Sequence, residues 1–190
     1  MKKNLVLLGM MAVGKTTLGK IVAKIQRLKF IDIDANIEKK NSMSINKIFN
    51  KKGEEFFRTE EEKEVLNSLK KKNCVIALGG GAFVNEVIRA NVLKNAISVW
   101  LDVDIDILNK RVRWNQKRPL LKEENSKKIL EKLYEKRKEF YKQANYKVTC
   151  NKLNKQDVVK KIMTLSIMIS WILIVILVAF ELKIILSLQM

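Results

Sequence analysis

A glycine-containing segment near the start of the chain carries residue types that bind phosphate. Gly9, Gly14, Lys15 and Thr16 fit the pattern G-x-x-x-x-G-K-[S/T], between a short apolar run and a stretch with helical spacing. Backbone N–H groups of such a loop point at phosphate oxygens, and the helix start adds partial positive charge. The alternative is a plain turn between two core elements. The pattern predicts a nucleoside triphosphate site, with Lys15 at the terminal phosphates and the Thr16 hydroxyl at Mg²⁺.

Two aspartates end the second apolar run. The second strand is predicted to end with them, so period-two geometry places Asp32 and Asp34 on one face, while Ile31 and Ile33 point into the core. At the C-terminal edge of a parallel sheet that face overlooks the ligand crevice. The alternative is a solvated strand end or a helix cap. We expect the pair to face the phosphate loop.

Two further segments hold candidate binding residues: one is charged and begins with a glycine, and the other is a run of three glycines. Arg58 follows Gly-Glu-Glu-Phe-Phe, and Glu61 lies one helical turn on, while Gly79, Gly80 and Gly81 come directly after another apolar run. Glycine lets the backbone approach a ligand closely, because no side chain intervenes. The alternatives are ordinary surface ion pairs for the charges and a flexible turn for the glycines.

Three more arginines stand in the second half of the chain. Arg118 lies within Lys-Arg-Pro-Leu in a polar stretch, 114–125, which is predicted to be a long loop and to act as a lid. Arg137 lies on the helix predicted to follow, and Arg111 precedes the loop, with Arg113 as its rival for the same role. A guanidinium pairs with a carboxylate or phosphate in two-point geometry. We expect these arginines to bind anionic groups.

The apolar runs predict the elements that position these residues. Five runs are predicted as strands, the last more weakly: residues 5–8, 30–33, 75–78, 99–103 and 146–150. Stretches with helical periodicity lie between them, including 50–72, which Gly53 interrupts, and 126–144. This alternation predicts an α/β fold, a three-layer parallel sheet of about five strands with helices on both faces. We expect one domain over residues 1–163.

The end of the chain, residues 164–190, is a separate apolar tail. Residues 162–180 carry no charge, and Lys160 and Lys161 precede them. As a helix they would be about 28 Å long, close to the thickness of a bilayer core, and the lysines would favour a cytoplasmic domain. The alternatives to membrane attachment are a tail packed on the domain or on a partner, and an artefact of the sequence end.

Composition excludes several function classes. The chain has no histidine, so Ser-His and Cys-His catalysis and histidine metal sites are excluded. Its formal net charge is +18, but the lysines are scattered and no basic-aromatic platform is visible, so we expect solvated faces rather than a nucleic-acid partner. Cys74 and Cys150 are expected to be reduced core residues of a cytoplasmic protein. We expect no secretory signal peptide.

Taken in order, these motifs resemble the shikimate kinase family over roughly residues 3–163. The matching motifs are the phosphate loop, Asp-x-Asp, Gly-Glu-x-x-Phe-Arg, the triple glycine and Arg-Pro-Leu. The resemblance implies a P-loop kinase fold, and the chain is expected to be a monomer. The C-terminal apolar helix that we expect in addition has no counterpart in the family pattern. It implies transfer of phosphate from ATP to the 3-hydroxyl of shikimate, with Mg²⁺, in the chorismate and aromatic amino-acid pathway. In the family, a glycine is usual where Ala12 stands, and alanine restricts the backbone there.

The resemblance also implies a role for each candidate residue. It implies that Asp34 orients the attacking hydroxyl, that Arg58 and Arg137 bind the shikimate carboxylate, and that Lys15 and Arg118 meet charge on the transferring phosphoryl group. The ATP-binding set is Gly9, Ala12, Val13, Gly14, Lys15, Thr16, Thr17, Arg111 and Arg118. The substrate-binding set is Asp34, Arg58, Gly79, Gly80, Gly81 and Arg137, with Glu61 steadying Arg58 and with Phe49 and Phe57 on the apolar side. The metal set is Thr16 and Asp32.

Three other functions remain as alternatives. One is another small-molecule P-loop kinase, acting on gluconate or a nucleoside monophosphate; the two arginines and Asp34 favour a carboxylated polyol instead. A second is a membrane-tethered nucleotide-binding module without kinase activity, and a third is a nucleic-acid binder.

Overall fold

The sheet is parallel throughout and has five strands. The computed structural model describes residues 3–114, 126–151 and 153–166 of the 190-residue chain. The strands are β1 Asn4–Leu8, β2 Lys29–Asp32, β3 Cys74–Ala77, β4 Ala96–Asp102 and β5 Tyr146–Thr149. They pair in the order β2-β3-β1-β4-β5, and every pairing is parallel. All five predicted strands form, and the predicted fold class is confirmed.

Helices fill the crossovers between the strands, as parallel pairing requires. They are α1 Lys15–Gln26, α2 Ile33–Asn41, α3 Ile45–Leu69, α4 Glu86–Asn95, α5 Ile105–Trp114, α6 Ser126–Tyr141 and a last helix, α7, at residues 155–166. A short 3-10 helix spans Ala82–Val84. Within α3, Gly53 departs from helical geometry with φ 82° and ψ 170°. The break expected at Gly53 is therefore present, although α3 begins at Ile45 rather than near residue 50.

The central strands form the core. Every residue of β1 and β3 is buried, which explains why these strands are continuous apolar runs rather than alternating ones. β1 and β4 are neighbours in the sheet, but the crossover from β1 leads to β2 at one edge and the crossover from β4 leads to β5 at the other edge. The loop that follows β1 therefore emerges where neighbouring crossovers leave in opposite directions. This is the place where α/β sheets of this kind bind ligands.

The end of β2 differs from the sequence-based expectation. The strand stops at Asp32 and α2 begins at Ile33, so Asp34 lies in the first turn of a helix. The reason is a helix cap: the Asp32 carboxylate accepts a hydrogen bond from the Ala35 N–H at 3.2 Å, which satisfies a backbone donor that the helix leaves open. Ile31 and Ile33 are buried as expected.

Two predicted segments fall largely outside the described residues. Residues 115–125, which include Arg118, lie outside them, and so do residues 167–190 of the tail. Trp114, assigned to the loop, instead ends α5. Ile162 of α7 is fully buried in the core, and the Gln26 side chain donates a hydrogen bond to Ser166 Oγ at 2.7 Å. Within the described ranges, none of the helices combines the length and the hydrophobicity needed to cross a bilayer.

Candidate active site

The phosphate loop has the backbone conformation that its glycines allow. Gly9 has φ 130° and Gly14 has φ 102°, and both values lie in the region that side chains disfavour. A Cβ atom at Gly9 would lie 2.4 Å from the Leu101 carbonyl oxygen of β4. Gly14 is the N-cap of α1, so the loop turns directly into a helix start. That junction presents N–H groups and partial positive charge.

Ala12 holds a left-handed conformation in this loop, with φ 60°. For a residue with a Cβ this costs about 1–2 kcal/mol. Glycine would adopt this conformation without that cost. The loop nevertheless has this conformation with alanine at position 12.

Lys15 and Thr16 lie at the opening of the loop. Lys15 Nζ donates hydrogen bonds to the Gly9 and Met10 carbonyl oxygens, both at 2.9 Å. Thr16 Oγ1 donates to Asp32 Oδ2 at 2.6 Å. The end of β2 is thereby joined to the loop through one hydroxyl and one carboxylate. Both groups carry oxygen atoms, which are the ligands that Mg²⁺ prefers. Within residues 3–114, 126–151 and 153–166, no group of three or more His, Cys, Asp or Glu side chains is arranged to hold a metal.

A cavity of about 330 Å³ lies between this loop and some of the other predicted residues. Lys15, Thr16, Asp32, Asp34 and Gly80 all line it. A neighbouring cavity of about 240 Å³ continues from the loop past Cys150 towards α7. Residues from the ends of β1, β2, β3 and β5 thus line two neighbouring cavities at the C-terminal edge of the sheet.

Arg111 and Thr17 line both cavities. The Arg111 Nη1 group donates to the Ala12 and Val13 carbonyl oxygens, each at 3.3 Å. The guanidinium therefore lies against the outside of the phosphate loop, beside both cavities.

The three glycines after β3 form a floor on which the charged side chains meet. A Cβ atom at Gly79 would lie 2.4 Å from Glu61 Oε1 and 2.7 Å from Asp34 Oδ1. At Gly80 it would lie 3.5 Å from Arg137 Nη1, and at Gly81 it would lie 2.9 Å from Arg58 Nη1. Helices α2, α3 and α6 thus bring two carboxylates and two guanidinium groups together above these glycines.

Glu61 and Arg58 form the most buried ion pair of this group. Arg58 Nη1 lies 2.7 Å from Glu61 Oε2, and the Glu61 side chain is only 2% exposed. Burial raises the pKa of Glu61, and the charge and hydrogen bond of Arg58 oppose that rise. The buried carboxylate therefore depends on Arg58 for its charge compensation and fixes the guanidinium in return.

The two aromatic residues lie next to this pair. The Phe57 ring is buried, and the half-buried Phe49 ring packs against it in a tilted arrangement with centroids 4.8 Å apart. The Arg58 guanidinium lies 5.2 Å from the Phe57 centroid. These contacts place both rings in the core wall beside the charged group.

Tyr141 is a residue of the site that the sequence reasoning missed. Its hydroxyl donates to the Gly80 carbonyl oxygen, and its side chain is 1% exposed. Burial raises the pKa of Tyr141 to about 12, while the neighbouring Arg137 acts in the opposite direction. The signal was present in the spacing, since Tyr141 follows Arg137 by four residues and so shares its helix face.

Comparisons with known proteins agree on one family. The family model described as shikimate kinase matches residues 11–166. A shikimate kinase of Bartonella henselae is 43% identical over 160 residues, which cover 84% of this chain and 76% of that protein. The structure of a shikimate kinase from Acinetobacter baumannii in complex with shikimate superposes with a TM-score of 0.81 at 34% identity, covering 86% of this chain and 92% of that one. A shikimate kinase structure from Bacteroides thetaiotaomicron gives a TM-score of 0.79 at 29% identity, covering 86% of this chain and 97% of the other.

Proposed function

The chain belongs to the shikimate kinase family, and from this premise we propose that it transfers the terminal phosphoryl group of ATP to the 3-hydroxyl of shikimate. The products are ADP and shikimate 3-phosphate, and the family places the reaction in aromatic amino-acid biosynthesis. One observation carries the assignment: Asp34, Glu61, Arg58 and Arg137 converge on Gly79, Gly80 and Gly81 beside the cavity that Lys15 lines. A carboxylated ring alcohol fits that combination of charges.

In this proposal the two arginines bind the carboxylate of shikimate. A guanidinium offers two parallel N–H donors to a carboxylate, which fixes the orientation of the ring as well as its position. The buried Glu61 keeps Arg58 in place, and Tyr141 keeps the Gly80 backbone in place. The glycine floor leaves room for the ring, because no side chain rises from it.

Asp34 then faces the hydroxyl that attacks. Its carboxylate lines the cavity with Lys15, so a hydroxyl bound to Asp34 lies towards the end of the triphosphate. A carboxylate in this position orients the hydroxyl and accepts its proton late in the reaction, which is why the absence of histidine is no obstacle. Phosphoryl transfer depends mainly on positioning and charge stabilisation.

The phosphate loop binds ATP through its backbone N–H groups. Lys15 reorients from the Gly9 and Met10 carbonyl oxygens to the terminal phosphates, and Arg118, which lies outside the described residues, supplies a second positive charge there. Arg111 lies on the base side, with Thr17 near the phosphates. Thr16 and Asp32 supply oxygen ligands for Mg²⁺, which neutralises phosphate charge when bound.

We also propose that residues 1–163 act as a monomeric kinase domain that needs no nucleic acid, in the cytoplasm. Membrane attachment through residues 162–180 remains the alternative to this proposal. Fractionation of the full chain with and without residues 167–190 tests it: pelleting of the full chain alone would support tethering, and recovery of both proteins in the supernatant would refute it.

The function itself is tested with a panel of acceptors. ADP release is measured with shikimate, gluconate and a nucleoside monophosphate at fixed ATP and Mg²⁺. We expect turnover well above background ATP hydrolysis with shikimate alone. Turnover with another acceptor and none with shikimate would overturn the proposal while leaving ATP binding intact.

A further inference from the structure

Arg58 is held by two carboxylates that differ greatly in exposure. Its Nη1 group lies 2.7 Å from Glu61, while its Nε and Nη2 groups donate to Glu54 Oε1 at 3.2 and 3.1 Å. The Glu61 side chain is 2% exposed and the Glu54 side chain is 66% exposed. The lateral edge of the guanidinium, where two N–H groups point the same way, is therefore occupied by a carboxylate at the surface.

The charge balance of this group opposes the binding of another anion. Arg58 with Glu54 and Glu61 carries a formal charge of −1. Asp34 and Arg137 also lie over the glycine floor and their formal charges cancel, so the whole group is −1 while Glu54 stays in place. A carboxylated substrate approaching Arg58 meets that negative charge as long as Glu54 stays in place. Glu61 is buried and cannot leave, whereas Glu54 can move into solvent at little cost.

We propose that Glu54 is a competing counterion of Arg58, which the carboxylate of the substrate displaces when it binds. Glu54 thereby sets the affinity for the carboxylated substrate without taking part in phosphoryl transfer. This inference rests on the proposed function, since it assigns the substrate's carboxylate to Arg58. Arg58 keeps its orientation when Glu54 leaves, because Glu61 holds the Nη1 group independently.

The test is a pair of charge-neutralising variants, Glu54→Gln and Glu55→Gln. Glu55 is the next residue of the same helical turn and is exposed, and within the described residues its side chain makes no hydrogen bond or ion pair with Arg58; its backbone carbonyl accepts from Thr59. Each variant removes one negative charge from this turn, so Glu55→Gln measures any effect of the lost charge that does not depend on contact with Arg58. Only Glu54→Gln removes the competitor.

The readout separates substrate affinity from turnover. We expect Glu54→Gln to lower KM for shikimate about two- to fivefold, the size expected of a partly exposed ion pair. Both kcat and KM for ATP should stay within a factor of about 1.5 of wild type, and Glu55→Gln should leave all three constants unchanged. Calorimetric titration with shikimate in the absence of ATP should show the same gain in affinity.

Two results for KM would contradict the proposal. If KM for shikimate in Glu54→Gln equals that of Glu55→Gln, Glu54 does not compete. If it rises, Glu54 supports Arg58 instead, as Glu61 does. Thermal unfolding of both variants controls for folding. Wild-type protein that turns over no shikimate at all would refute the proposed function itself, which is a different outcome from equal KM values.

Discussion

Replacing Gly79 with alanine is expected to disable the shikimate site while leaving the nucleotide site intact. The φ of Gly79 lies outside the left-handed region, so alanine carries no backbone penalty there and its effect is purely steric. The added Cβ would lie 2.4 Å from Glu61 Oε1 and 2.7 Å from Asp34 Oδ1. Since non-bonded contacts are favourable at about 3.5 Å, both carboxylates must retreat by about 1 Å.

That displacement is large for a phosphoryl-transfer site. Glu61 is buried and linked to Arg58, so its movement also shifts the guanidinium. A misplacement of about 1 Å costs roughly 100-fold in rate, which is about 2.7 kcal/mol of transition-state stabilisation. We therefore expect kcat/KM for shikimate to fall about 100-fold in Gly79→Ala.

The assay is coupled ADP release at varied shikimate concentration, together with a nucleotide titration and a thermal unfolding curve. The ATP affinity of Gly79→Ala should stay within about twofold of wild type, because the phosphate loop is not touched. A folded Gly79→Ala protein whose kcat/KM for shikimate stays within threefold of wild type would refute the placement of Asp34 and Glu61 over this glycine.

Three further variants probe the catalytic carboxylate, the supports of the site and the strain in its loop. Asp34→Asn should lower kcat by about 10²–10⁴-fold while nucleotide binding survives; a variant with more than a tenth of wild-type turnover would contradict the assigned role. Tyr141→Phe removes the donor to Gly80 and should cost about 1 kcal/mol, seen as a Tm lower by about 2–4 °C; an unchanged Tm would speak against that hydrogen bond. Ala12→Gly should relieve the left-handed strain and bring the Tm to or above that of wild type; a clear loss of stability would count against the loop conformation.

The raised pKa of Glu61 adds a prediction with a definite sign. A carboxyl whose folded-state pKa lies above its unfolded value of 4.5 contributes stability below that value and loses it as the pH rises through the folded pKa. The stability of wild type relative to Glu61→Gln, measured by chemical denaturation, should therefore fall as the pH rises from 4.5 to 8, because only wild type carries the ionising carboxyl. The KM of Glu61→Gln for shikimate should rise, because Arg58 loses the buried carboxylate that fixes its Nη1 group. A stability difference between wild type and variant that stays constant over this range, or that grows in favour of wild type as the pH rises, would contradict the direction of the shift.

The centre of the sheet was predictable because β1, β3 and nearly all of β4 are buried, so these strands are continuous apolar runs. The edge strands β2 and β5 are partly exposed, and β5 gave the weaker signal. The alternation of these runs with helical stretches indicates the parallel α/β arrangement. The phosphate loop was equally readable, since its glycines and Lys15 have fixed spacing. Element boundaries moved by one to several residues, as at the start of α3 at Ile45, because helix starts depend on caps such as Ser44, whose hydroxyl accepts from the Lys47 N–H.

The error at Asp34 has a physical cause. Ile31 and Ile33 are buried whether the chain continues as a strand or turns into a helix, so their alternation could not separate the two. Asp32 determines which of the two forms, because its carboxylate can either lie at a strand end or cap a helix. The structure uses it as a cap, and Asp34 reaches the cavity from a helix turn instead of a strand face.

The remaining parts of the site depend on tertiary contacts that no local pattern encodes. The ion pair of Glu54 with Arg58 follows from their helical spacing, but its place beside the glycine floor does not follow from that spacing. Tyr141 looks like a core aromatic until its hydroxyl is found on Gly80, which lies 61 residues away in the chain. The convergence of α2, α3 and α6 over the glycine floor determines both roles.

Identification of the reaction product tests the central claim most directly. The protein is incubated with ATP, Mg²⁺ and shikimate, and the quenched mixture is analysed by mass spectrometry and phosphorus NMR. We predict one phosphorylated shikimate for each ADP, with the phosphoryl group on the 3-hydroxyl oxygen. ADP formed at the same rate with and without shikimate, and no phosphorylated shikimate, would contradict the account.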